Sequence, residues 1–262
     1  MTRIAFFILN IIIVILVPSP GSIAAELNRA QVLELLEKAT PDKPADLRRK
    51  DLQGANLSNI DFRNKADLWG ANLKNADLSG SNLSGLNLDL TIMTKINLSG
   101  AKLVNTSLFG IHMGQANLSN ADLRGSRVIA TLDRANLSNA NIQNARWGVD
   151  VKNQPMGQMR VSLKNTNLTG ADLTGADLNR AMMHFTNLTG ANLSGANLFR
   201  ADMLGANFTD ADLSKADLSE GKLGDSIMTN ANLNGTRMKD IKGKEDIQGL
   251  EESRNINNAE FQ

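Results

Sequence analysis

The chain has 262 residues, with 28 Lys and Arg against 27 Asp and Glu, for a formal net charge of +1 at pH 7. That balance gives no general electrostatic pull toward nucleic acid or an anionic membrane, and it lacks the acidic excess expected of a protein that imitates DNA. No cysteine is present, which removes disulfides, thiol nucleophiles and thiolate metal sites together.

Residues 1–25 read as a signal peptide. Arg3 gives a short positive start, residues 4–17 are apolar apart from Asn10, Pro18, Pro20 and Gly21 break any helix, and Ala24 and Ala25 are small enough for cleavage. The apolar stretch is shorter than the ~20 residues a spanning helix needs, so no stable membrane insertion is expected once the leader is removed. Loss of Arg3 leaves the remainder formally neutral. Residues 26–44 then read as a short amphipathic helix and a linker. Leu27, Val32, Leu33 and Leu36 offer an apolar side suited to capping the unit that follows or to binding a partner, and Pro41 and Pro44 turn the chain into it.

From Ala45 onward a five-residue pattern takes over: a small residue, Asp or Asn, a central apolar residue, then two mostly polar ones. Ala55-Asn56-Leu57-Ser58-Asn59 and Ala171-Asp172-Leu173-Thr174-Gly175 are clean copies. Leu fills most central positions, and Met most of the others. An odd period sends successive Leu residues to opposite faces of a continuous strand, and five residues advance a helix by about 500°, so neither element keeps them together. A chain that turns once per unit does. Four short sides close a square coil of about twenty residues, and parallel strands ~4.8 Å apart would stack such coils into a shaft roughly 45 Å long. One coil cannot bury enough apolar surface to hold itself, so stability belongs to the stack.

The phase gains one residue at 63–67, loses one at 129–132 and is interrupted between Trp147 and Leu163. The expected organisation is therefore a solenoid over 45–147, a loop at 148–160 carrying Pro155, a second solenoid part over 161–240, and a cap or tail over 241–262. The loop is either a passive excursion or a partner contact that uses Met156 and Met159.

A(D/N)LXX, seen in Ala71-Asn72-Leu73, Ala176-Asp177-Leu178 and Ala211-Asp212-Leu213, resembles the signature of the pentapeptide repeat family over about residues 45 to 240. The resemblance implies an all-β, right-handed quadrilateral parallel β-helix. Similar members with a leader and a short N-terminal helix occur in cyanobacteria, which implies the periplasm or the thylakoid lumen; secretion is the alternative.

Chemistry is harder to find. His112 and His184 lie far apart along any rigid stack, which argues against a shared metal. The recurring Asp residues, such as Asp172, Asp177, Asp212 and Asp217, occupy positions the coil itself uses, and no P-loop, dinucleotide fingerprint, HExxH or serine elbow is present. No metal and no cofactor is expected. Thr169, Thr174, Thr189 and Thr209 suggest a threonine face, but the sequence breaks their column at Asn179, Ser194 and Phe199.

Trp69, Asp89, Phe109 and Ile129 recur every twenty residues and should stack on one outer side, with three apolar groups at positions that face water. The expectation is a non-catalytic exported scaffold or interaction module with an unidentified protein partner. Trp69, Phe109, Ile129, Met156 and Met159 are the candidate contacts, and Phe199 and Leu204 form a weaker second patch. Two alternatives remain: a DNA-mimicking modulator of a topoisomerase-like enzyme, which the resemblance allows, and an enzyme of unidentified activity. No nucleic acid is expected among the partners.

Overall fold

The computed structural model describes residues 25–149 and 159–262; the leader up to residue 24, residues 150–158 and, with them, the expected contact Met156 lie outside the described residues. Helix α1 (Arg29–Glu37) comes first. Its start is set by Asn28, whose side chain accepts the Gln31 backbone N–H while the Gln31 side chain accepts the Asn28 N–H. Val32 and Leu36 face the end of the first coil and are buried, and the Arg29 guanidinium donates to the Ser58 carbonyl at 2.8 Å. The helix therefore covers an apolar cross-section that would otherwise meet water.

The rest of the chain winds into stacked coils joined by parallel bridges. Four ladders run along the axis. Beginning from Leu47, Leu52, Leu57 and Phe62, they define four walls, which we number first to fourth. On the first wall the strands β1 (Ala45–Asp46) and β2 (Ala66–Asp67) pair in parallel, as do β3 (Ser107–His112) and β4 (Arg127–Thr131). Elsewhere each contact is one residue long, as in Asn72 with Ile92 and Ile92 with His112 on the second wall. Five residues leave room for one ladder position and one corner, which is why extended strands are scarce.

Each unit repeats the same hydrogen bonds. The Leu57 and Asn59 N–H groups donate to the Asp77 and Ser79 carbonyls of the next coil at 2.7 and 2.8 Å, and the Ala55 N–H closes the corner on the Leu52 carbonyl at 3.1 Å. The Asp or Asn before the core residue accepts the N–H two residues on, as Asp77 Oδ1 does from Ser79 at 3.0 Å. Corner residues adopt left-handed torsions, mostly Gly or Asn. At Gly80 (φ +65°) a Cβ would lie 2.4 Å from Asn59 Oδ1, so the corner of one coil seats the side chain of the coil before it.

The central Leu, Phe and Met side chains are wholly buried, with the small residue two positions earlier beside them. Where that small residue is Ser or Thr, its hydroxyl usually reaches a carbonyl: Ser81 donates to Leu57 and Thr186 to Leu163 of the preceding coil, both at 2.8 Å, and Thr91 donates to Leu88 of its own coil at 2.6 Å. These hydroxyls therefore cost little to bury, and Ser226, which has no hydrogen-bond partner among the described residues, is the exception.

The interruption does not change the register. Thr131 bridges Ser162 and Asn136 bridges Asn167, so the chain leaves the first wall after Trp147 and re-enters on the second with every ladder continuing. At the far end Arg254 bridges Asn232 after the 3-10 turn Lys244–Asp246, Glu260 bridges Arg237 after a second, Ile256–Asn258, and the Lys244 ammonium sits 3.8 Å from the Phe261 ring centroid.

Candidate functional site

A shaft of this kind presents walls rather than a cleft, so each wall is a candidate surface. The first carries aromatic residues. Trp69 and Phe109 are half-buried on it, as the twenty-residue spacing suggests, and Phe199 lies on the same wall, because the first-wall ladder runs from Arg146 through Asp177 to Asn197. Each ring has an arginine over it: Arg49 over Trp69 at 5.0 Å, Arg127 over Phe109 at 4.9 Å and Arg200 over Phe199 at 4.9 Å. Shallow concavities flank Trp69, one toward Pro44 and Leu86 and one toward Asp46 and Arg49.

Ile129 behaves differently from its neighbours in the column. It is 3% exposed, because the coil contracts there and the strand register shifts between Phe109 and Ile111, drawing Val128, Ile129 and Ala130 inward together. It offers almost no surface. Met159 is exposed beside the second wall. Phe199 could have been assigned to the first wall by following the core phase across the interruption instead of counting in twenties.

Several charges on the first wall are paired. The Arg48 fork grips Asp46 at 2.8 and 2.9 Å and holds its carboxyl down at about 2, Arg200 meets Glu220 at 2.7 Å, and Arg237 meets Asp217 at 2.8 Å.

The third wall overturns the expected break in the hydroxyl column. Ser58, Ser79, Ser99, Ser119 and Ser138 are followed by Thr169, Thr189, Thr209 and Thr229 without interruption, each carbonyl accepting from the coil before it. Asn179 and Phe199 belong to the first wall, and Thr174 and Ser194 to the fourth. Beside the hydroxyls runs an amide ladder, with Asn97 donating to Asp77 at 2.9 Å and Asn117 to Asn97 at 3.1 Å. Thr169, Thr189 and Thr209 each donate to the Asn two residues earlier at 2.6–2.7 Å, so these hydroxyls are held by the coil itself.

On the second wall His184, Asp202 and Lys222 form a line. His184 Nε2 and Lys222 Nζ each lie 2.8 Å from an Asp202 oxygen, the first contact requiring a proton on Nε2. Burial pushes the Asp202 pKa up, but the hydrogen bond from Lys222 and the His184 imidazole close beside it outweigh burial and leave the carboxyl below its ordinary value. A lowered folded pKa favours the ionised form. The resulting stability is present above about pH 4, where the unfolded carboxyl is ionised, and is lost as pH falls through the lower folded value. Asp202→Asn should lower the thermal midpoint by roughly 2–4 °C at neutral pH, equivalent to about 1 kcal/mol. Melts repeated in acid should show the deficit closing below about pH 4, and an equal deficit at both extremes would contradict the assignment.

No cleft gathers these groups around a reacting atom. Among the described residues no group of three His, Asp or Glu side chains is placed to hold a metal. His112 and His184 share the second wall but are separated along it by three coil steps, through Thr131, Ser162 and Met182.

Four flat walls around a ladder of Leu, resetting at each fifth residue, define a repeat solenoid whose outer side chains are its working surface. The family model for pentapeptide repeats matches residues 64–94, 96–129, 159–195, 191–230 and 206–241, more than half of the chain. The chain belongs to the pentapeptide repeat family.

Among solved structures it is similar to HetL, a pentapeptide repeat protein involved in heterocyst differentiation regulation in the cyanobacterium Nostoc sp. strain PCC 7120. Identity is 29%, over 87% of this chain and 96% of that one, with a TM-score of 0.43. A pentapeptide repeat protein from the Arabidopsis thaliana thylakoid lumen is 33% identical over 37% of this chain and 63% of its own, with a TM-score of 0.31. QnrB1, a plasmid-mediated fluoroquinolone resistance protein, is 18% identical over 71% of this chain and 83% of that one, with a TM-score of 0.32. No curated protein matches the sequence. No helix among the described residues is long and apolar enough to cross a membrane.

Proposed function

We propose that this chain is a non-catalytic scaffold that binds a protein partner through its first wall, after export to the periplasm or the thylakoid lumen. The observation that carries the reading is the row of Trp69, Phe109 and Phe199, each under an arginine at 4.9–5.0 Å, on a rigid wall. Aromatic and arginine side chains are the residues that dominate protein interfaces, and here their rotamers are restrained before any partner arrives. Trp69, with a concavity on each side, is the central anchor. Export rests on the residue pattern of 1–25.

The test is co-purification from the native host against a double variant. Trp69→Ser with Phe109→Ser should reduce recovery of the partner at least tenfold at a temperature where the variant is still folded; both rings are partly buried, so a lower thermal midpoint is expected beside it. Equal recovery by the double variant would reject the first wall.

The second reading, a DNA-mimicking modulator of a topoisomerase-like enzyme, is favoured by the rod shape. It needs a wall dominated by free carboxylates. Asp46, Asp61, Asp122, Asp217 and Glu220 instead each meet an arginine, and the third wall is almost uncharged. Inhibition of DNA supercoiling by the purified protein would favour this second reading over the first.

A further inference from the structure

Of the large apolar side chains that are most exposed on the described chain, Leu33 and Leu35 belong to α1, and the other four sit on or beside the second wall. These are Leu90 at 48%, Ile92 at 44%, Met159 at 42% and Phe185 at 64%. Leu90 stands at the corner where the wall begins and Phe185 at the corner where it ends, while Ile92 and Met182 share its ladder four coil steps apart, about 19 Å at the parallel-strand spacing.

Two of these residues also pay a conformational cost. Leu90 (φ +61°) and Phe185 (φ +54°) are the only large apolar side chains at left-handed corners among the described residues; Gly, Asn, Gln115 and charged residues fill the other corners. Each side chain lies against the corner glycine of the next coil, Leu90 over Gly110 and Phe185 over Gly205, yet both stay largely exposed, so packing offsets only part of the strain.

The charge on the same wall is not balanced as it is on the first. Lys74, Lys95, Arg134 and Arg160 have no carboxylate partner among the described residues, and all are exposed. The wall's carboxylates, Asp51, Asp133, Asp202 and Asp225, are fewer than its cations, which also include Lys164 and Lys222. Asp51 accepts from Gln53 and Asn72, Asp133 from Ser162 and from the backbone N–H of Lys164, and Asp202 is held by Lys222.

We propose that the second wall is a peripheral docking face for an anionic lipid surface, with Leu90, Ile92, Met159 and Phe185 entering the headgroup boundary and the four unpaired cations meeting lipid phosphates. Apolar tips spread over several coils with cations between them suit a flat, negatively charged boundary. A bound peptide would need a groove, and the hollow beside Met159 and Met182 is shallow. The proposal uses no residue of the aromatic row on the first wall and stands or falls separately from it.

Because the chain has no cysteine, one introduced thiol reports one place. The full chain carrying Ile92→Cys, or Ser99→Cys on the third wall, is labelled with a polarity-sensitive fluorophore. It is then mixed with phosphatidylcholine vesicles, either pure or rich in phosphatidylglycerol. The label at position 92 should brighten and shift to the blue on the anionic vesicles, and salt should reverse it; the label at 99 should stay silent. The apolar segment at 4–17 can bind both vesicle types, but it cannot bring position 92 into the boundary selectively.

Lys74→Glu with Lys95→Glu should then weaken anionic-vesicle binding by about twenty-five-fold or more, at roughly fivefold for each cation removed from the surface, with the melting curve unchanged. A silent label at 92, equal responses at 92 and 99, or unaltered binding by the charge-reversed chain would each overturn the proposal. So would a label at 92 that responds to a protein partner and ignores the vesicles.

Discussion

Trp147→Ala should lower stability by about 3–5 kcal/mol, shifting the thermal midpoint down by roughly 6–20 °C. Trp147 is 1% exposed and occupies the core ladder of the first wall between Val128 and Leu178, where Leu fills most neighbouring positions. The larger ring fits because Val128 is smaller than Leu and the inward residues beside it are Ser126 and Ala145. The indole Nε1 donates to Ser126 Oγ at 3.1 Å, and both groups are buried.

Truncation leaves a void between coils that stiff ladders cannot collapse around. It falls where the chain departs into the interruption, so it also weakens the nearest-neighbour coupling between the two parts of the shaft. The single melting transition should broaden or split. Trp147→Phe keeps most of the packing and loses only the indole hydrogen bond, for a cost of about 1 kcal/mol. A Trp147→Ala melt that overlays the parent curve would mean that this ring does not fill the core.

The second large effect concerns register. Ser138 and Thr169 are far apart in sequence, yet the Asn139 N–H donates to the Thr169 carbonyl at 2.9 Å and Asn136 bridges Asn167, so the two side chains stand one above the other on the third wall. Pyrenes attached to Cys at these two positions should stack and emit as an excimer. Pyrenes at Ser138 and Asn179 should not, because Asn179 belongs to the first wall, across the core. The difference is close to all-or-none, since face-to-face contact requires a separation of the order of one strand spacing, ~4.8 Å, and the core lies between opposite walls.

The core phase was legible in the sequence because one physical demand, an inward Leu, recurs at every unit and tolerates few substitutes. Wall membership was less so. A column counted in twenties is right only within an unbroken stretch, which is why Trp69, Asp89 and Phe109 were grouped correctly. One lost residue near Ile129 then changed that side chain from outward to buried, and the interruption after Trp147 separated Phe199 from the aromatic row it belongs to. The hydroxyl column was broken for a different reason: Thr174, Asn179, Ser194 and Phe199 stand five or ten residues from its members and so on other walls, whereas steps of twenty from Thr169 reach Thr189, Thr209 and Thr229. Bridges, not residue counts, decide which side chains are neighbours.

The exposed apolar corners were visible in principle. Leu90 and Phe185 stand at left-handed corners otherwise held by Gly, polar or charged residues, and a departure from that habit is a stronger signal than hydrophobicity alone. The hydrogen bonds of the amide ladder were not recoverable in that way, since any Asn in the column could turn toward its own unit or toward the next coil.

Both surface proposals rest on the chain restoring its direction at every unit and on the ladders crossing the interruption in register. Emission from the Ser138→Cys/Thr169→Cys pyrene pair in native buffer measures that most directly. A strong excimer band that vanishes in denaturant, with monomer emission alone from the Ser138→Cys/Asn179→Cys pair, is the predicted result. Monomer emission from the first pair, or an excimer from the second, would contradict the assignment of walls from which the aromatic row and the cationic face are both drawn.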